Sequence, residues 1–317
     1  MLWLLALVYG FVVRIRNLKY DKLGIAAKYK LKVISIGNLG VGGTGKTPLG
    51  IKCALQAQSK NIKVAVLLRG YGSKDGVSDE AELYKRALGE EHVYINPNRR
   101  ESLSVIEAKG YDLALMDDAF QHRKVDRDID LIVMDAKHSV LEDSLIPLGM
   151  LREPIVGLSR AHVMVITRCE SISSESLKKM TQSILDKFNH LKIYEARTMV
   201  KAVNPTCLGY EWENNYNVYL FSGIGDPTKF RDTAIREGVN IVGESIFRDH
   251  HFLSDQECSE MLLSAKAVGA DCFLTTEKDA VKINRKLGLP LFELGIDLEI
   301  NSSEELFLGL FEGLEVN

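Results

Sequence analysis

The segment GVGGTGKT, residues 40–47, limits the possible folds of this chain more strongly than any other part of the sequence. It follows the apolar run KVISIGN, residues 32–38, after a single leucine. The segment matches the pattern G-x-x-x-x-G-K-[ST] at every fixed position, and this pattern joins a strand to a helix through a phosphate-binding turn. We therefore predict an α/β fold of the P-loop NTPase type, with a doubly wound, mostly parallel sheet.

Each fixed position of this turn has a chemical reason. Glycines permit positive φ and let backbone N–H groups approach phosphate oxygens without an intervening Cβ. The helix that follows directs the positive end of its dipole towards the anion. Lys46 is expected to reach the β- and γ-phosphates, and Thr47 to offer its hydroxyl to Mg²⁺. The predicted nucleotide-binding residues are Gly40, Val41, Gly42, Gly43, Thr44, Gly45, Lys46 and Thr47.

A second metal-binding element is predicted where the run LALMDDAFQH places Asp117 and Asp118 after apolar residues. A carboxylate at the carboxyl end of such a strand can hold Mg²⁺ beside the glycine turn, directly or through water. The alternative is a solvated aspartate pair that caps the next turn. The guanine-binding patterns N-K-x-D and T-K-x-D are absent, since TEKD at 276–279 has an extra residue. This absence favours ATP as the nucleotide.

Apolar runs and helical segments alternate along the chain. The runs lack polar alternation, which is typical of parallel strands covered on both faces. We predict a membrane-associated helix at 1–24, a P-loop kinase core at 25–200 and a smaller α/β lobe at 201–317, whose last helix could return to the core. Strands are predicted at 32–37, 63–70, 92–96, 112–118, 128–136, 161–168, 218–223, 239–246, 271–276 and 291–300, and helices after the glycine turn and at 80–89, 99–110, 227–238, 254–268 and 303–312.

The first thirteen residues, MLWLLALVYGFVV, carry no charge, and the segment that follows is basic. A helix that spans a membrane needs about 20 apolar residues, so this run is short for that role. A secretory signal would place its positive charge before the apolar run instead. The remaining readings are an interfacial helix at an anionic membrane surface or a helix packed on the protein's own core.

Composition excludes two other classes of protein. The chain has 40 Lys and Arg against 43 Asp and Glu, so a general nucleic-acid binder is not indicated. Its five cysteines are widely spaced and form no C-x-x-C pair, which argues against a disulfide framework or a zinc site and favours a reducing compartment. No feature of the sequence indicates an obligate protein partner.

Polar clusters follow the predicted strands and together predict a cleft between the two lobes. Each cluster also has a structural reading: the arginines could form surface ion pairs, and the paired histidines a polar turn. The clusters are RGYG (69–72), SDEAEL (78–83), FQHRKVDRD (120–128), PLGMLREP (147–154) and FRDHHFLSD (247–255).

These clusters resemble, in their order, motifs of the tetraacyldisaccharide 4'-kinase family of lipid A synthesis. The likeness covers nearly the whole chain, and DDAFQHR, LREP and DHH are more specific than the glycine turn. The resemblance implies a Mg²⁺-dependent kinase that uses ATP to phosphorylate the 4'-hydroxyl of an acylated glucosamine disaccharide 1-phosphate. It also implies a peripheral or monotopic location at the cytoplasmic face of the inner membrane, where such an acceptor lies.

The resemblance also implies residue roles. Asp79 matches the family's candidate base and His250 its partner, with Asp117 or Asp118 as the alternative base. Glu153 joins the two aspartates near the metal, and the residues that match the substrate cleft are Asn38, Arg69, Gln121, His122, Arg123 and Arg152. Two departures affect loop geometry: Ser78 and Ala81 replace a glycine and a proline of the family's G-D-E-P, and Ala119 replaces a glycine in D-D-G-F.

An alternative from another class is a membrane-recruited P-loop ATPase that acts as a switch or chaperone, with no phosphoryl acceptor. Deviant ATPase switches carry a lysine early in the glycine turn, and Val41 occupies that region here. A soluble kinase for a small sugar would leave the apolar first helix without a role.

Overall fold

The computed structural model describes residues 1–24, 26–70, 78–207, 209–283 and 285–314. The chain divides into two compact units. The core unit comprises residues 1–70, 84–198 and 298–317, and the second unit comprises residues 71–83 and 199–297. The boundary therefore falls within the helix that contains Asp79, and the last helix belongs to the core unit.

Eleven strands and nine α-helices are formed by the described residues. The strands are β1 Lys32–Gly37, β2 Val64–Leu68, β3 Val93–Ile95, β4 Leu113–Asp117, β5 Ile129–Asp135, β6 Val163–Thr167, β7 Lys192–Pro205, β8 Asn217–Ser222, β9 Asn240–Ile246, β10 Cys272–Thr276 and β11 Leu291–Ile300. The helices are α1 Leu2–Leu23, α2 Lys46–Ser59, α3 Asp79–Leu88, α4 Arg99–Ala108, α5 Ser174–Leu185, α6 Pro227–Arg236, α7 Asp255–Ala267, α8 Glu277–Ala280 and α9 Ser303–Phe311.

The core unit is built on a parallel sheet with strand order β3-β2-β4-β1-β5-β6-β7. The register places Ile36 of β1 opposite Asp117 of β4, and Gly37 opposite Ile132 of β5. Because neighbouring strands run in the same direction, their carboxyl ends meet at one edge of the sheet. This edge brings together the glycine turn after β1 and the aspartates after β4.

Apolar side chains from the strands and flanking helices form the core of this unit. Met164 and Ile166 of β6 pack in one cluster with Leu177 and Ile184 of α5. A second cluster joins strands β2 and β4 to α4 through Leu67, Met116, Leu103 and Ile106. The continuous apolar runs of the sequence are therefore buried strands, as predicted.

The second unit has its own parallel sheet, with strand order β11-β10-β8-β9. Phe273 of β10 is fully buried, and its ring lies edge-on to Tyr219 and Phe221 with centroids 5.9 Å apart in both pairs. Aromatic pairs at this separation and angle stabilise a core beyond the burial of their area alone. The ring of Phe273 is thus a central contact of this unit.

We expect Phe273→Ala to lower the free energy of unfolding of the second unit by about 3–5 kcal/mol, because a fully buried ring leaves a cavity. Urea denaturation followed by circular dichroism would measure the change. Val268→Ala removes a side chain that is 47% exposed and serves as the control, with an expected change within about 0.5 kcal/mol. A loss below about 1 kcal/mol for Phe273→Ala would show that the core relaxes around the missing ring.

The predicted α/β fold with a P-loop and a mostly parallel sheet is confirmed, and element bounds agree within a few residues. Three of these elements were not predicted: helix α5, the four-residue helix α8 and the fourteen-residue strand β7. Strand β7 interleaves charged and apolar residues, and its burial alternates accordingly, so it has no continuous apolar run. Helix α5 is preceded by Ser173, whose hydroxyl accepts from the Ser176 N–H at 3.2 Å and marks the helix start.

The N-terminal helix α1 lies against the core unit with only Ala6 and Val13 buried. Gly10 approaches Leu145 so closely that an added Cβ would lie 2.6 Å from its Cδ1. Helix α1 therefore packs on the core unit along one side and leaves most of its residues exposed. Among the described residues, no helix is long and apolar enough to cross a membrane. The large apolar residues of α1 that are exposed are Leu2, Trp3, Leu4, Leu5, Leu7, Val8, Phe11, Val12, Ile15, Leu18 and Leu23.

Candidate active site

The glycine turn connects β1 to the amino terminus of α2 and is shaped by glycine conformations. Gly42 and Gly45 have φ of 107° and 91°, a region that other residues rarely adopt. An added Cβ at Gly42 or Gly43 would meet no atom within 4 Å, so the backbone there borders open space. The fourteen-residue helix α2 begins at Lys46, which directs its amino end at the turn. The turn therefore fits a phosphate group.

Residues 150–152 hold this turn from one side through an antiparallel bridge. The Val41 N–H donates to the Met150 carbonyl at 2.8 Å, and the Arg152 N–H donates to the Leu39 carbonyl at 2.8 Å. From strand β6, the Thr167 hydroxyl donates to the Thr44 carbonyl at 2.8 Å. The sequence analysis did not single out Thr167, because a threonine at a strand end carries no signal of its own.

Asp117 ends strand β4 and lies next to the start of α2. The Thr47 hydroxyl donates to its Oδ2 at 3.4 Å. Burial raises the pKa of Asp117, Lys46 opposes this shift, and the neighbouring Asp118 adds to it. The carboxylate thus lies in a buried position where a divalent cation would offset its charge.

Asp118 contacts two cationic side chains. Its Oδ1 lies 3.5 Å from Lys46 Nζ, and Arg152 Nη1 lies 2.9 Å from its Oδ2. Burial alone would raise the pKa of this carboxyl, but Lys46 and Arg152 together outweigh burial and lower it. Asp118 is therefore ionised and paired with the lysine of the glycine turn.

Arg99 is a residue of this site that the sequence analysis missed. It begins α4, is 2% exposed, and donates from its guanidinium to the backbone carbonyls of Asp117 and Asp118. Asp118 has a positive φ of 45°, which is uncommon for an aspartate. Arg99 thus stabilises the backbone that presents both carboxylates. An arginine in the pair Arg99–Arg100 reads as a surface residue, so no sequence signal marks it.

Thr47 and Asp117 provide the oxygen donors that Mg²⁺ prefers. Within the described ranges, no group of three or more His, Cys, Asp or Glu could hold a metal ion. Mg²⁺ commonly takes one or two carboxylates together with water and substrate phosphates, so two protein ligands fit this ion. The metal-ligand roles of Thr47, Asp117, Asp118 and Glu153 stay predictions.

Glu153 is completely buried and makes three polar contacts away from the aspartates. Arg160 Nη2 lies 2.8 Å from its Oε2, Gln121 Nε2 donates to its Oε1 at 2.9 Å, and Asn17 Nδ2 donates to its Oε2 at 3.2 Å. Gln121 also donates to the Asn38 carbonyl at 2.9 Å. These contacts join helix α1 to the loop before the glycine turn.

Two predicted substrate residues carry buried polar atoms that have no partner among the described residues. Both side-chain polar atoms of Asn38 are buried in this way, and so is Nε2 of His122. Burial lowers the pKa of His122 to about 4, and the charges of Arg99 and Arg127 contribute, so its ring is neutral. Buried polar atoms without a partner are consistent with a site that a ligand completes.

Arg123 and Arg69 lie in different surroundings. Arg123 is ion-paired with Asp21, donates to the Asn17 carbonyl at 3.0 Å, and lies over the ring of Tyr20. It thereby contacts α1 at several points. Arg69 is exposed after the end of β2. The rest of its motif, Tyr71 and Gly72, lies outside the described residues.

The second unit contains Asp79 and His250, which the structure brings together. Asp79 begins α3 and is 2% exposed, and His250 Nδ1 lies 3.0 Å from its Oδ2. This hydrogen bond raises the pKa of His250. Burial alone would raise the pKa of Asp79, but the hydrogen bond from His250 and the charge of Lys282 outweigh it and lower the pKa. Lys282 is a further residue that the sequence analysis did not single out.

The departure from the family pattern at position 119 fits the observed backbone. Ala119 and Ala81 are both fully buried. Ala119 is not among the residues with positive φ, whereas the preceding Asp118 is. An alanine therefore causes no backbone strain at position 119.

The glycine turn, the lysine that begins α2 and the paired aspartates define a phosphoryl-transfer site of the P-loop class. The family model for tetraacyldisaccharide-1-P 4'-kinases matches residues 1–310, and this chain belongs to that family. A tetraacyldisaccharide 4'-kinase of Anaeromyxobacter sp. (strain Fw109-5) is 33% identical over 92% of this chain and 84% of its own length. The corresponding protein of Bdellovibrio bacteriovorus is 30% identical, over 89% of this chain and 88% of its own length.

A solved structure supports the same assignment. LpxK from Aquifex aeolicus, crystallised in complex with ATP, matches with a TM-score of 0.75 and 26% sequence identity. The match covers 97% of this chain and 96% of that chain.

Proposed function

We infer that this chain transfers the terminal phosphoryl group of ATP to the 4'-hydroxyl of an acylated glucosamine disaccharide 1-phosphate. The observation that carries this inference is the contact set at the glycine turn, where Thr47 meets Asp117 and Lys46 meets Asp118. Family membership supplies the acceptor, and the solved relative that holds ATP supports the donor.

In this mechanism the backbone of residues 40–47 binds the phosphates, and Lys46 offsets negative charge on the group in transfer. Phosphoryl transfer has a loose transition state, so positioning and electrostatics contribute most of the rate. Thr47 and Asp117 would hold Mg²⁺, which when bound neutralises charge on the phosphate oxygens. Arg99 and Arg152 keep the two aspartates in place.

We propose that Asp79 accepts the proton of the sugar hydroxyl. Although Asp79 is 2% exposed, the hydrogen bond from His250 and the charge of Lys282 lower the pKa of its carboxyl, so burial does not neutralise it and it can accept a proton. His250 holds one carboxylate oxygen through its Nδ1 and so orients the group. The alternative bases, Asp117 and Asp118, lie instead beside the glycine turn, where they contact Thr47 and Lys46 and are proposed to act on the nucleotide side.

We propose that the exposed face of α1 binds the cytoplasmic surface of the inner membrane. Large apolar residues such as Trp3, Leu4 and Phe11 are more than half exposed there. The basic segment after residue 13 suits anionic headgroups. An acceptor with acyl chains stays in the bilayer, so a kinase that acts on it must reach the surface.

We expect Phe11→Asp to weaken binding to anionic phospholipid vesicles more than tenfold, because it removes an exposed ring that would insert into the bilayer and adds a charge that the headgroups repel. Co-sedimentation with phosphatidylglycerol vesicles would measure the bound fraction. Ile235→Asp, on α6, changes another side chain that is 54% exposed and should leave binding unchanged. Equal loss in both variants would mean that general surface charge, not α1, governs membrane binding.

The proposed reaction is tested with ATP labelled in its terminal phosphate and a purified lipid disaccharide 1-phosphate in mixed micelles. Labelled lipid, with the label at the 4'-position, is the expected product. A labelled soluble sugar would indicate a small-molecule kinase, and release of free phosphate alone would indicate an ATPase switch. Either of these two outcomes would overturn the proposed acceptor.

A further inference from the structure

Lys282 is a buried cation in the second unit, with a side chain only 3% exposed. Lysine is almost never fully buried unless it is paired, because removing an ammonium group from water is costly. Its Nζ lies 2.7 Å from Asp279 Oδ1 and 3.3 Å from Asp79 Oδ2. The lysine therefore links the carboxylate assigned as base to a second buried carboxylate.

Asp279 is itself held firmly. Its Oδ2 accepts hydrogen bonds from the Gly223 N–H at 2.9 Å and from the Thr276 hydroxyl at 2.9 Å. These donors follow β8 and end β10, and Asp279 lies in α8, so three elements of the second unit converge on this carboxylate. The other carboxylate oxygen of Asp279, Oδ1, contacts Lys282. The position of the ammonium group is thus set by the sheet of the second unit.

The surroundings of Lys282 give its ammonium group a further contact. Its Nζ donates to the His251 carbonyl at 3.4 Å and lies 5.9 Å from the centroid of the Phe252 ring. Both residues follow His250 directly in the chain. Lys282 therefore also contacts the loop that carries the histidine partner of Asp79.

We propose that Lys282 is a positioning residue that fixes the Asp79 carboxylate by occupying its Oδ2 together with His250, and so directs Oδ1 to the acceptor hydroxyl. This inference rests on the proposed role of Asp79 in the kinase reaction. His250 Nδ1 at 3.0 Å and Lys282 Nζ at 3.3 Å both contact Oδ2, which restricts rotation of the carboxylate. A base held in one orientation contributes to rate through positioning.

The charges around Asp79 have a second consequence. Its own helix contributes Glu80, the loop after β9 contributes His250 and Asp249, and the region of α8 contributes Lys278, Asp279 and Lys282. Lys278 lies between Glu80 and Asp249, at 3.3 and 3.2 Å, so its charge is partly offset. Lys282 is the more buried of the two lysines and contacts Asp79 directly. Its removal should raise the pKa of the Asp79 carboxyl, because burial then acts with less opposition.

The test compares Lys282→Met with Lys282→Arg in the full-length protein. Methionine keeps most of the side-chain volume and removes the charge, whereas arginine keeps the charge. We expect Lys282→Met to lower kcat about tenfold on the pH plateau, to leave the KM for ATP unchanged, and to move the acid-side inflection to higher pH. Lys282→Arg should keep the inflection of the unmodified protein.

A direct readout separates positioning from general damage. The Asp79 carboxyl carbon is followed by ¹³C NMR in protein labelled at aspartate and assigned by its loss in Asp79→Asn. Its titration should move to higher pH in Lys282→Met and stay in place in Lys282→Arg. If Lys282→Met does not fold, Asp279→Asn/Lys282→Met replaces it, since this double variant also removes the carboxylate that would lose its partner. Thermal unfolding reports which variants are folded.

The outcomes distinguish this inference from the proposed function. An unchanged Asp79 titration and unchanged kcat in the folded methionine variant would overturn the role of Lys282. If Asp79→Asn itself retained full kcat, the proposed base would be wrong. A shifted titration in a variant that still binds ATP normally supports both.

Discussion

Replacing Asp79 with asparagine is expected to lower kcat by about 10²–10⁴-fold, with the KM for ATP changed by less than about twofold. Asparagine keeps the shape of the side chain but cannot accept the sugar proton. A base acts mainly in the transition state, so the loss should fall on kcat. Steady-state kinetics with labelled ATP and the lipid acceptor, with both substrates varied in turn, would measure it.

Asp255→Asn is the matched control for this experiment. Asp255 is also the first residue of a helix in the second unit, but its side chain is 93% exposed. We expect its substitution to leave kcat within about twofold, since exposed charge pairs contribute little. If Asp79→Asn behaved like this control, proton acceptance would have to be assigned to Asp117 or Asp118 instead.

Replacing Lys46 with methionine is expected to lower kcat by about 10²–10³-fold, because one preorganised charge at the transferred phosphoryl group is lost. Lys46 begins α2 and lies 3.5 Å from Asp118, so its ammonium group is held beside the glycine turn. Single-turnover measurements with saturating ATP would report the chemical step separately from nucleotide binding.

Lys60→Met provides the comparison, since Lys60 follows the carboxyl end of the same helix and is exposed. It should leave the single-turnover rate unchanged. A wild-type rate in Lys46→Met would mean that the glycine turn binds phosphate without taking part in transfer. The proposed kinase mechanism would then lose its principal electrostatic contribution.

Sequence reasoning located the glycine turn because the requirement there is local. Positive φ at Gly42 and Gly45 needs glycine, and a strand before and a helix after the turn complete the pattern. The aspartates were located for a related reason, since polar residues that end an apolar strand of a parallel sheet meet at its carboxyl edge. Asp79 and His250 are 171 positions apart in the chain, and only the family resemblance related them.

Other residues were invisible in the sequence because their roles depend on partners far along the chain. Arg99 contacts backbone carbonyls, which any arginine can do, so its type and neighbours say nothing about its position. For Glu153 the sequence did suggest a role, since the family resemblance implies a position near the metal. Its contacts are Arg160, Gln121 and Asn17. A side chain's partners depend on which segments the fold brings together, and spacing in one segment does not report them.

The amino-acid sequence by itself determined the class of fold, the place of the phosphate turn and the apolar character of the first helix. Each of these follows from short-range rules: strand and helix periodicity, the conformational freedom of glycine, and the length of an uncharged run. Only the tertiary structure decided that Lys282 lies against Asp79 and that Arg99 supports the aspartate pair. Buried charges are tolerated only where distant partners neutralise them, and that condition is met by packing.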